Sequence, residues 1–238
     1  MRKTTTTLLF SISAVLILAL SGASSASAQT DTSLGAGALT GNSGTYDTGL
    51  GYYALATNNS GTGNTAVGAV ALFKNTSGQY NTATGVGSLE RNDTGSENTA
   101  LGFNALLSNT AGYRNTASGK DSLLSNDTGH DDVATGYQAL FDNTAGYSNT
   151  AAGAYALRTN TTGFSNSATG EEALNFNTTG AENTASGQTA LWSNTTGYGN
   201  TADGVQALYE NATGFHNVAV GEFALHDNTS GTTTRVSD

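Results

Sequence analysis

The sequence has 238 residues, a length that fits one ordinary domain or one array of repeats. It contains 31 Gly, no Pro, no Cys and only 11% charged residues, a composition that is unusual for a compact enzyme and excludes disulfide bonds. The formal net charge of −10 argues against binding to nucleic acids or to anionic membranes, because both require an excess of Lys and Arg.

The first element in the chain is a predicted secretory signal peptide over residues 1–28. Two basic residues follow the initial methionine, residues 8–20 are apolar but short for a membrane span, and Ala26-Ser27-Ala28 provides the small residues of a cleavage site. We therefore expect a secreted protein, extracellular or on the cell surface, whose mature chain begins at Gln29 and contains no membrane span. An uncleaved membrane anchor is the alternative.

The rest of the chain, residues 29–238, is predicted to be one repeat domain. From about residue 31 to residue 233 the sequence repeats a 17-residue unit, N-T-A-x-G-x-x-A-L-x-x-N-T-T-G-x-x. Ten regular units begin at Asn64 and follow one another without insertion, after a divergent unit and a first unit of 16 residues. Because one unit recurs about twelve times, we expect neighbouring copies to stack and to share a continuous core.

Each unit is predicted to contain a short strand followed by tight corners. The Asn-Thr-Ala-x-Gly segment suits a strand with Asn, Ala and Gly on one side, but Gly68, Ala71, Leu72 and Asn75 have the i, i+3, i+4, i+7 spacing of a helix. Stacked strands lie about 4.8 Å apart and packed helices about 8–10 Å apart, so a straight stack cannot hold both. We predict an all-β fold, a parallel β-solenoid (β-roll) with at most short helical turns. A curved, helix-bearing stack is the alternative.

Two kinds of invariant column are expected inside the solenoid. Repeated Asn side chains are predicted to form ladders along the stack, and the N-x-[ST] sequons that they create are glycosylation acceptors only if this column lies on the surface. The leucine is the one large apolar residue present in every regular unit, so it is predicted to point inward. The predicted core residues are Leu72, Leu89, Leu106, Leu123, Leu140, Leu157, Leu174, Leu191, Leu208 and Leu225.

Aromatic residues recur at two outward-leaning positions of the unit and form the predicted binding surface. One Leu and two Ala per unit make a thin core, so we expect self-association, with a homotrimer as one candidate. A surface glycan or a matrix protein is the other expected partner, since aromatic rings beside Asn and Thr offer flat apolar platforms with hydrogen-bonding neighbours. The residues of this surface are Phe73, Tyr113, Phe141, Tyr147, Phe164, Trp192, Tyr198, Tyr209 and Phe215.

The repeat resembles known surface-fibre repeats. Segments such as Asn98-Thr-Ala-Leu-Gly-Phe-Asn-Ala-Leu-Leu-Ser-Asn-Thr-Ala-Gly112 are similar to repeats of bacterial and phage surface fibres and to the head repeats of trimeric autotransporter adhesins. The resemblance covers about residues 31–233. It implies a parallel β-roll, often trimeric, that projects from a surface and adheres to host or matrix molecules.

No group of residues points to catalysis, to a cofactor or to a metal. His130 lies beside Asp131 and Asp132, and Glu171 precedes Glu172, but metal sites need three or more converging ligands. An acidic position before the repeated Asn is interrupted by other residue types, which argues against a calcium ladder. We therefore predict that the protein is not an enzyme.

The predicted function is that of a secreted structural or adhesive protein, a rod that binds surfaces, glycans or matrix partners. The alternative is an ice-binding solenoid that uses a Thr-rich strand face, although only the unit with Thr82 and Thr84 has Thr at both outward strand positions. A solenoid enzyme such as a polysaccharide lyase is a third hypothesis. It is disfavoured because the array has no insertions from which a cleft could be built.

Overall fold

The computed structural model describes residues 31–232 and 235–237, so the predicted signal peptide lies outside the described residues. In this part of the chain all regular elements are short β-strands, and no helix is present. Consecutive coils are stacked with a spacing of 17 residues, and the strands pair in parallel. The predicted β-solenoid is therefore confirmed, and the helix-bearing alternative is wrong for the described residues.

One thirteen-stranded sheet runs along the array, and each coil contributes one strand of three residues to it. The strands of this sheet are β1 (Thr32–Leu34), β2 (Thr48–Leu50), β4 (Thr65–Val67), β6 (Thr82–Thr84), β8 (Thr99–Leu101), β9 (Thr116–Ser118), β10 (Val133–Thr135), β11 (Thr150–Ala152), β12 (Ser167–Thr169), β13 (Thr184–Ser186), β14 (Thr201–Asp203), β15 (Val218–Val220) and β16 (Arg235–Ser237). A second, three-stranded sheet consists of β3 (Thr57–Asn58), β5 (Lys74–Asn75) and β7 (Arg91–Asn92).

The register places equivalent residues of neighbouring coils directly over one another. Ala66 pairs with Ala83 and Ala83 with Ala100, and the same offset continues along the array. The first step is one residue shorter, since Thr32 pairs with Thr48. Strand geometry then sorts the side chains by period two: the central Ala is buried, and the residues on either side of it face outward.

The segment with helical spacing is a corner built from left-handed backbone. Val70 has φ 53° and Leu72 has φ 48°, and the same two positions have positive φ in the regular coils that follow. Alternating left-handed residues cannot propagate an α-helix, which needs a run of right-handed ones. They turn the chain sharply, so that the leucine side chain points into the coil.

The glycine that follows the strand is required for close contact between coils. Gly68 has φ 138°, and a Cβ placed on it would lie 2.5 Å from the carbonyl oxygen of Gly85 in the next coil. No side chain fits at that distance. This explains why the column contains only glycine, whereas the left-handed position of Val70 accepts many residue types.

The apolar part of the core is a row of leucines flanked by rows of small residues. Leu72 through Leu208 are completely buried at 17-residue intervals, and Leu225 is partly buried and packs against the same cluster. Ala66 and Ala71 begin the two flanking rows. Each predicted core leucine thus lies in one continuous interior.

Two asparagine ladders fill the rest of the interior. The first ladder contains Asn64 and its equivalents in the following coils. The backbone N–H of Asn81 donates to Oδ1 of Asn64 at 3.0 Å, and Nδ2 of Asn81 donates to the same oxygen at 3.1 Å. In the second ladder, Nδ2 of Asn92 donates to Oδ1 of Asn75 at 2.8 Å and to the carbonyl oxygen of Gly95 at 2.8 Å. Among the described residues, every buried side-chain N or O atom has a hydrogen-bond partner. The ladders therefore bury polar groups without leaving them unsatisfied.

Candidate binding surface

The first aromatic column comprises Tyr113, His130, Tyr147, Phe164, Tyr198 and Phe215, each two residues before the Asn, or Asp132 after His130, that opens the next coil. The stacked registers of the coils bring their rings face to face. Centroids are 4.7 Å apart for Tyr113 and His130, and 5.1 Å for Tyr147 and Phe164, with ring planes within 12° and 4° of parallel. Ala181 interrupts the column, and stacking resumes between Tyr198 and Phe215 at 4.9 Å.

The second aromatic column comprises Phe73, Phe141, Trp192, Tyr209 and His226, each of which directly follows the core leucine of its coil. Trp192 and Tyr209 stack at 5.1 Å with planes 1° apart, and Tyr209 stacks on His226 at 5.0 Å. The guanidinium of Arg158 lies 5.6 Å from the ring centre of Phe141, so a cation replaces a ring as its neighbour.

Stacking changes what these rings offer to a ligand. Inside a column each ring covers the face of the next, so flat platforms remain only at the ends of a stack. What faces outward is ring edges and hydroxyl groups. Tyr113, Tyr147 and Tyr198 are 38–41% exposed, whereas Phe164 and Phe215 are about half-buried. Seven of the nine residues proposed from the sequence thus lie in short edge-on stacks along the array, whereas Phe141 neighbours Arg158 and Phe73 contacts Tyr53 edge to face.

Sequence reasoning missed some members of this surface. His130 continues the first column and His226 the second, and both were identifiable from their position in the 17-residue unit. A further aromatic group surrounds Lys120, whose Nζ lies 5.9 Å from the ring centre of Phe103 and 5.5 Å from that of Tyr137. These three residues occupy one column, immediately after the glycine that follows the strand.

The strand face is a second regular surface, formed by the outward residues of the thirteen-stranded sheet. Its first row consists largely of Thr: Thr65 pairs with Thr82, Thr82 with Thr99 and Thr99 with Thr116. Its second row is mixed, since Val67 pairs with Thr84. Thr therefore occupies most of the first row, with Val133, Ser167, Val218 and Arg235 at the other positions, and the second row is more varied.

A carboxyl group replaces an amide in the buried ladder at one point of the regular array. Oδ1 of Asp132 accepts hydrogen bonds from the backbone N–H of Asn149 at 2.8 Å and from its Nδ2 at 3.1 Å, while Oδ2 accepts one from Nδ2 of Asn143 at 3.0 Å. Burial, with a smaller contribution from the nearby Asp131 carboxylate, raises the pKa of Asp132 to about 7 despite these donors. Asp47 occupies the same ladder near the start of the array, and burial also raises its pKa.

The acidic groups noted in the sequence have partners on the surface. Asp131 Oδ2 lies 2.9 Å from Arg114 and 3.0 Å from His130 Nδ1. Glu172 accepts a hydrogen bond from the indole N–H of Trp192 at 3.0 Å, and Glu171 accepts one from Gln188. Within the described ranges, no group of three or more His, Cys, Asp or Glu side chains converges to hold a metal ion.

The repeated sequons lie inside the solenoid. Asn75, Asn92 and Asn160 are completely buried, and their Nδ2 atoms donate to the neighbouring coil and to a corner glycine. A glycan on Nδ2 would break both bonds and separate the coils. These sequons are consequences of the corner structure and are inaccessible in the folded chain.

Residues 31–232 and 235–237 contain no helix long and apolar enough to span a membrane. Comparisons with protein-family models, with curated proteins and with solved structures found no match to this chain.

Proposed function

We propose that this protein is a secreted structural or adhesive rod that binds surfaces, glycans or matrix partners through its outer aromatic columns. The supporting observation is that seven of the nine aromatic residues stack in register in short outward-facing runs along the solenoid. An elongated rod that repeats contacts at regular intervals gains avidity even when each contact is weak. The signal peptide predicted over residues 1–28 supports a role outside the cell.

The geometry narrows the mode of binding. Because ring faces are covered inside the stacks, contacts along the columns use ring edges and the hydroxyls of Tyr113, Tyr147 and Tyr198. Sugar stacking is confined to the ends of the stacks, where one face is uncovered. The proposal therefore favours extended contact with a macromolecular surface over capture of a small sugar.

The test is to remove the exposed rings of one column. A variant with Tyr113, Tyr147 and Tyr198 each replaced by Ser is compared with a control in which Tyr52 and Tyr80, exposed rings outside both columns, become Ser. Binding is measured on glycan arrays, immobilised matrix proteins and intact cells. We expect the triple variant to lose at least tenfold in apparent affinity and the control to bind normally. Absence of any binding or assembly by the unaltered protein overturns the proposal.

Ice binding is the second candidate, favoured by the Thr row of the strand face. Threonines stacked in register every ~4.8 Å offer a regular array of hydroxyl and methyl groups to ordered water. Asp203 in the second row interrupts this regularity. Thermal hysteresis of the purified protein, lost when Thr99 and Thr116 are replaced by Lys, would support this candidate over the adhesive one.

The proposal assigns no enzymatic activity to the chain. Its support is the repetition of one unit along the array, because catalysis needs unlike groups brought together at one place. Incubation with a panel of acidic and neutral polysaccharides, followed by measurement of chain length, tests this directly.

A further inference from the structure

The second row of the strand face changes character along the rod. In the first five coils the stacked residues are Leu34, Leu50, Val67, Thr84 and Leu101, which we call the aliphatic row. Leu34 is 63% exposed and Leu101 is 52% exposed. Leu50, Val67 and Thr84 between them are half-buried, so the row is a partly exposed strip with an aliphatic residue in four of its five coils. Exposed aliphatic side chains grouped in this way are typical of an interaction surface.

Beyond the fifth coil the side chains of this row are small or polar, with one exception. A single large aliphatic residue, Val220, occupies it among the strands β9 to β15. The residues of this stretch are Ser118, Thr135, Ala152, Thr169, Ser186, Asp203 and Val220. The apolar character of the row therefore belongs to one half of the rod.

Charge follows the same division. Residues 119–238 carry 13 of the 18 acidic side chains but only three basic ones, whereas residues 31–118 carry five acidic and three basic side chains. In addition, the outward positions of the thirteen-stranded sheet carry no charged residue from β1 to β13, whereas Asp203 and Arg235 follow in β14 and β16. One half of the rod is nearly neutral with an apolar face, and the other half is strongly acidic.

These features identify the partner as a second copy of the chain. The aliphatic row repeats every ~4.8 Å, and a surface that matches it over several coils must have the same period, which another copy has. Parallel docking would place one acidic half beside the other. Antiparallel docking overlaps the neutral halves and directs the acidic halves away from each other.

We propose that two copies dock antiparallel through the aliphatic row, strand face against strand face. The twofold axis of this dimer lies near Val67. This arrangement buries the exposed leucines and leaves both aromatic columns free. It therefore goes beyond the proposed adhesive function and does not depend on which surface the aromatic columns bind. It also predicts a dimer longer than one rod.

The first experiment measures sedimentation of the mature chain, residues 29–238, at micromolar concentrations. Leu34→Lys with Leu101→Lys is compared with Thr169→Lys with Val220→Lys, which places the same two charges at equivalent positions of the acidic half. We expect a dimer for the unaltered chain and the control, and a dissociation constant raised at least tenfold in the Leu34→Lys, Leu101→Lys variant. Unchanged circular dichroism and melting show that this variant folds. The proposal is overturned if the unaltered chain is a monomer or a trimer. It is also overturned if the Leu34→Lys, Leu101→Lys variant dimerises as tightly as the unaltered chain.

The second experiment tests the orientation, and the chain is suited to it because it has no cysteine. Val67→Cys and Ser186→Cys are each treated with a bis-maleimide whose spacer is about 10 Å, the separation of face-packed sheets. Antiparallel docking brings two copies of residue 67 together and keeps residues 186 far apart, so only Val67→Cys is expected to crosslink. Crosslinking of both variants indicates parallel docking, and crosslinking of neither indicates another surface. Either result overturns the proposal.

Discussion

Leu140 and Phe141 are neighbours in the chain but lie on opposite sides of the coil wall. Leu140 is completely buried, and its position is Leu in every regular coil. Phe141 is half-buried, and the equivalent residues elsewhere include Glu90, Arg158 and Trp192. The same backbone step thus separates a position that tolerates no change from one that tolerates nearly any.

The difference has a structural cause. An inward side chain touches its counterparts in the coils on both sides, so a misfit in one coil disturbs three. An outward side chain contacts its neighbours along only part of its surface and is otherwise solvated. Substitutions inside should accordingly destabilise the array strongly, and substitutions outside should alter binding or assembly while the fold persists.

The largest effect is expected for Leu140→Asp. The change removes about 1.5–3 kcal/mol of apolar burial and forces a carboxyl group into an interior without a partner, so the total loss approaches the stability of a whole domain. We expect loss of the β-sheet signal in circular dichroism at 25 °C.

Phe141→Asp is the matched control, since it introduces the same group one residue later. It should melt within a few degrees of the unaltered chain. Equal behaviour of the two variants would show that the leucine row is not the core.

The next effect concerns pH and the carboxyl group in the ladder. A pKa of about 7 for folded Asp132, against about 4 when unfolded, means that only the folded chain holds the proton between these values. Stability should therefore fall as pH rises from about 4 to 7, by up to about 4 kcal/mol, and then level off.

The variant Asp132→Asn restores the amide found at the equivalent position of neighbouring coils. It should raise the melting temperature at pH 8 and leave it nearly unchanged at pH 4. A smaller fall with pH should persist because burial also raises the pKa of Asp47. A pH-melting curve that is identical for the variant and the unaltered chain would contradict this interpretation.

A somewhat smaller loss is expected for Asn160→Ala. Asn160 donates to Asn143 Oδ1 at 2.9 Å and to the carbonyl of Gly163 at 3.0 Å, and it accepts from Asn177 at 2.8 Å. Leaving these buried groups unpaired should cost about 2–3 kcal/mol, measured by urea unfolding. The control Thr161→Ala, at the partly buried next residue, should cost less than about 1 kcal/mol.

The smallest effect on stability is expected for Tyr147→Ser. The ring stacks on His130 and Phe164, so its removal should cost about 0.5–1.5 kcal/mol for the lost aromatic contacts, which urea unfolding measures. A loss of stability as large as that of Asn160→Ala would mean that the outer aromatic columns hold the fold together. It would contradict the distinction between inward side chains that stabilise the array and outward side chains that affect binding or assembly.

Much of the fold was predictable because its determinants recur in register. The spacing of the repeats indicated stacking, and the single large apolar column identified Leu72 and its counterparts as inward. The backbone of the corner was not predictable in the same way. Val70 and Leu72 adopt left-handed φ values that favour Gly or Asn when considered locally, and only the stacking of whole coils stabilises them there.

The binding surface was predictable in its columns but not in its geometry. Position in the unit placed Tyr147 and Phe164 in one column, yet their mutual coverage depends on ring orientation, which spacing alone does not specify. The glycines gave a similar result. The repeat showed that Gly68 recurs in every regular coil but not why: its φ is 138°, and a Cβ there would lie 2.5 Å from the carbonyl oxygen of Gly85.

Amide hydrogen exchange of the mature chain, resolved by residue, tests most directly whether one internal stack in register holds the protein together. The backbone N–H groups of Asn81, Asn98 and Asn115 each donate to the side-chain oxygen of the Asn one coil earlier. We predict slow exchange at these positions and at the core leucines, recurring every 17 residues along the array. Protection without this period, or rapid exchange at the ladder asparagines, would contradict the account.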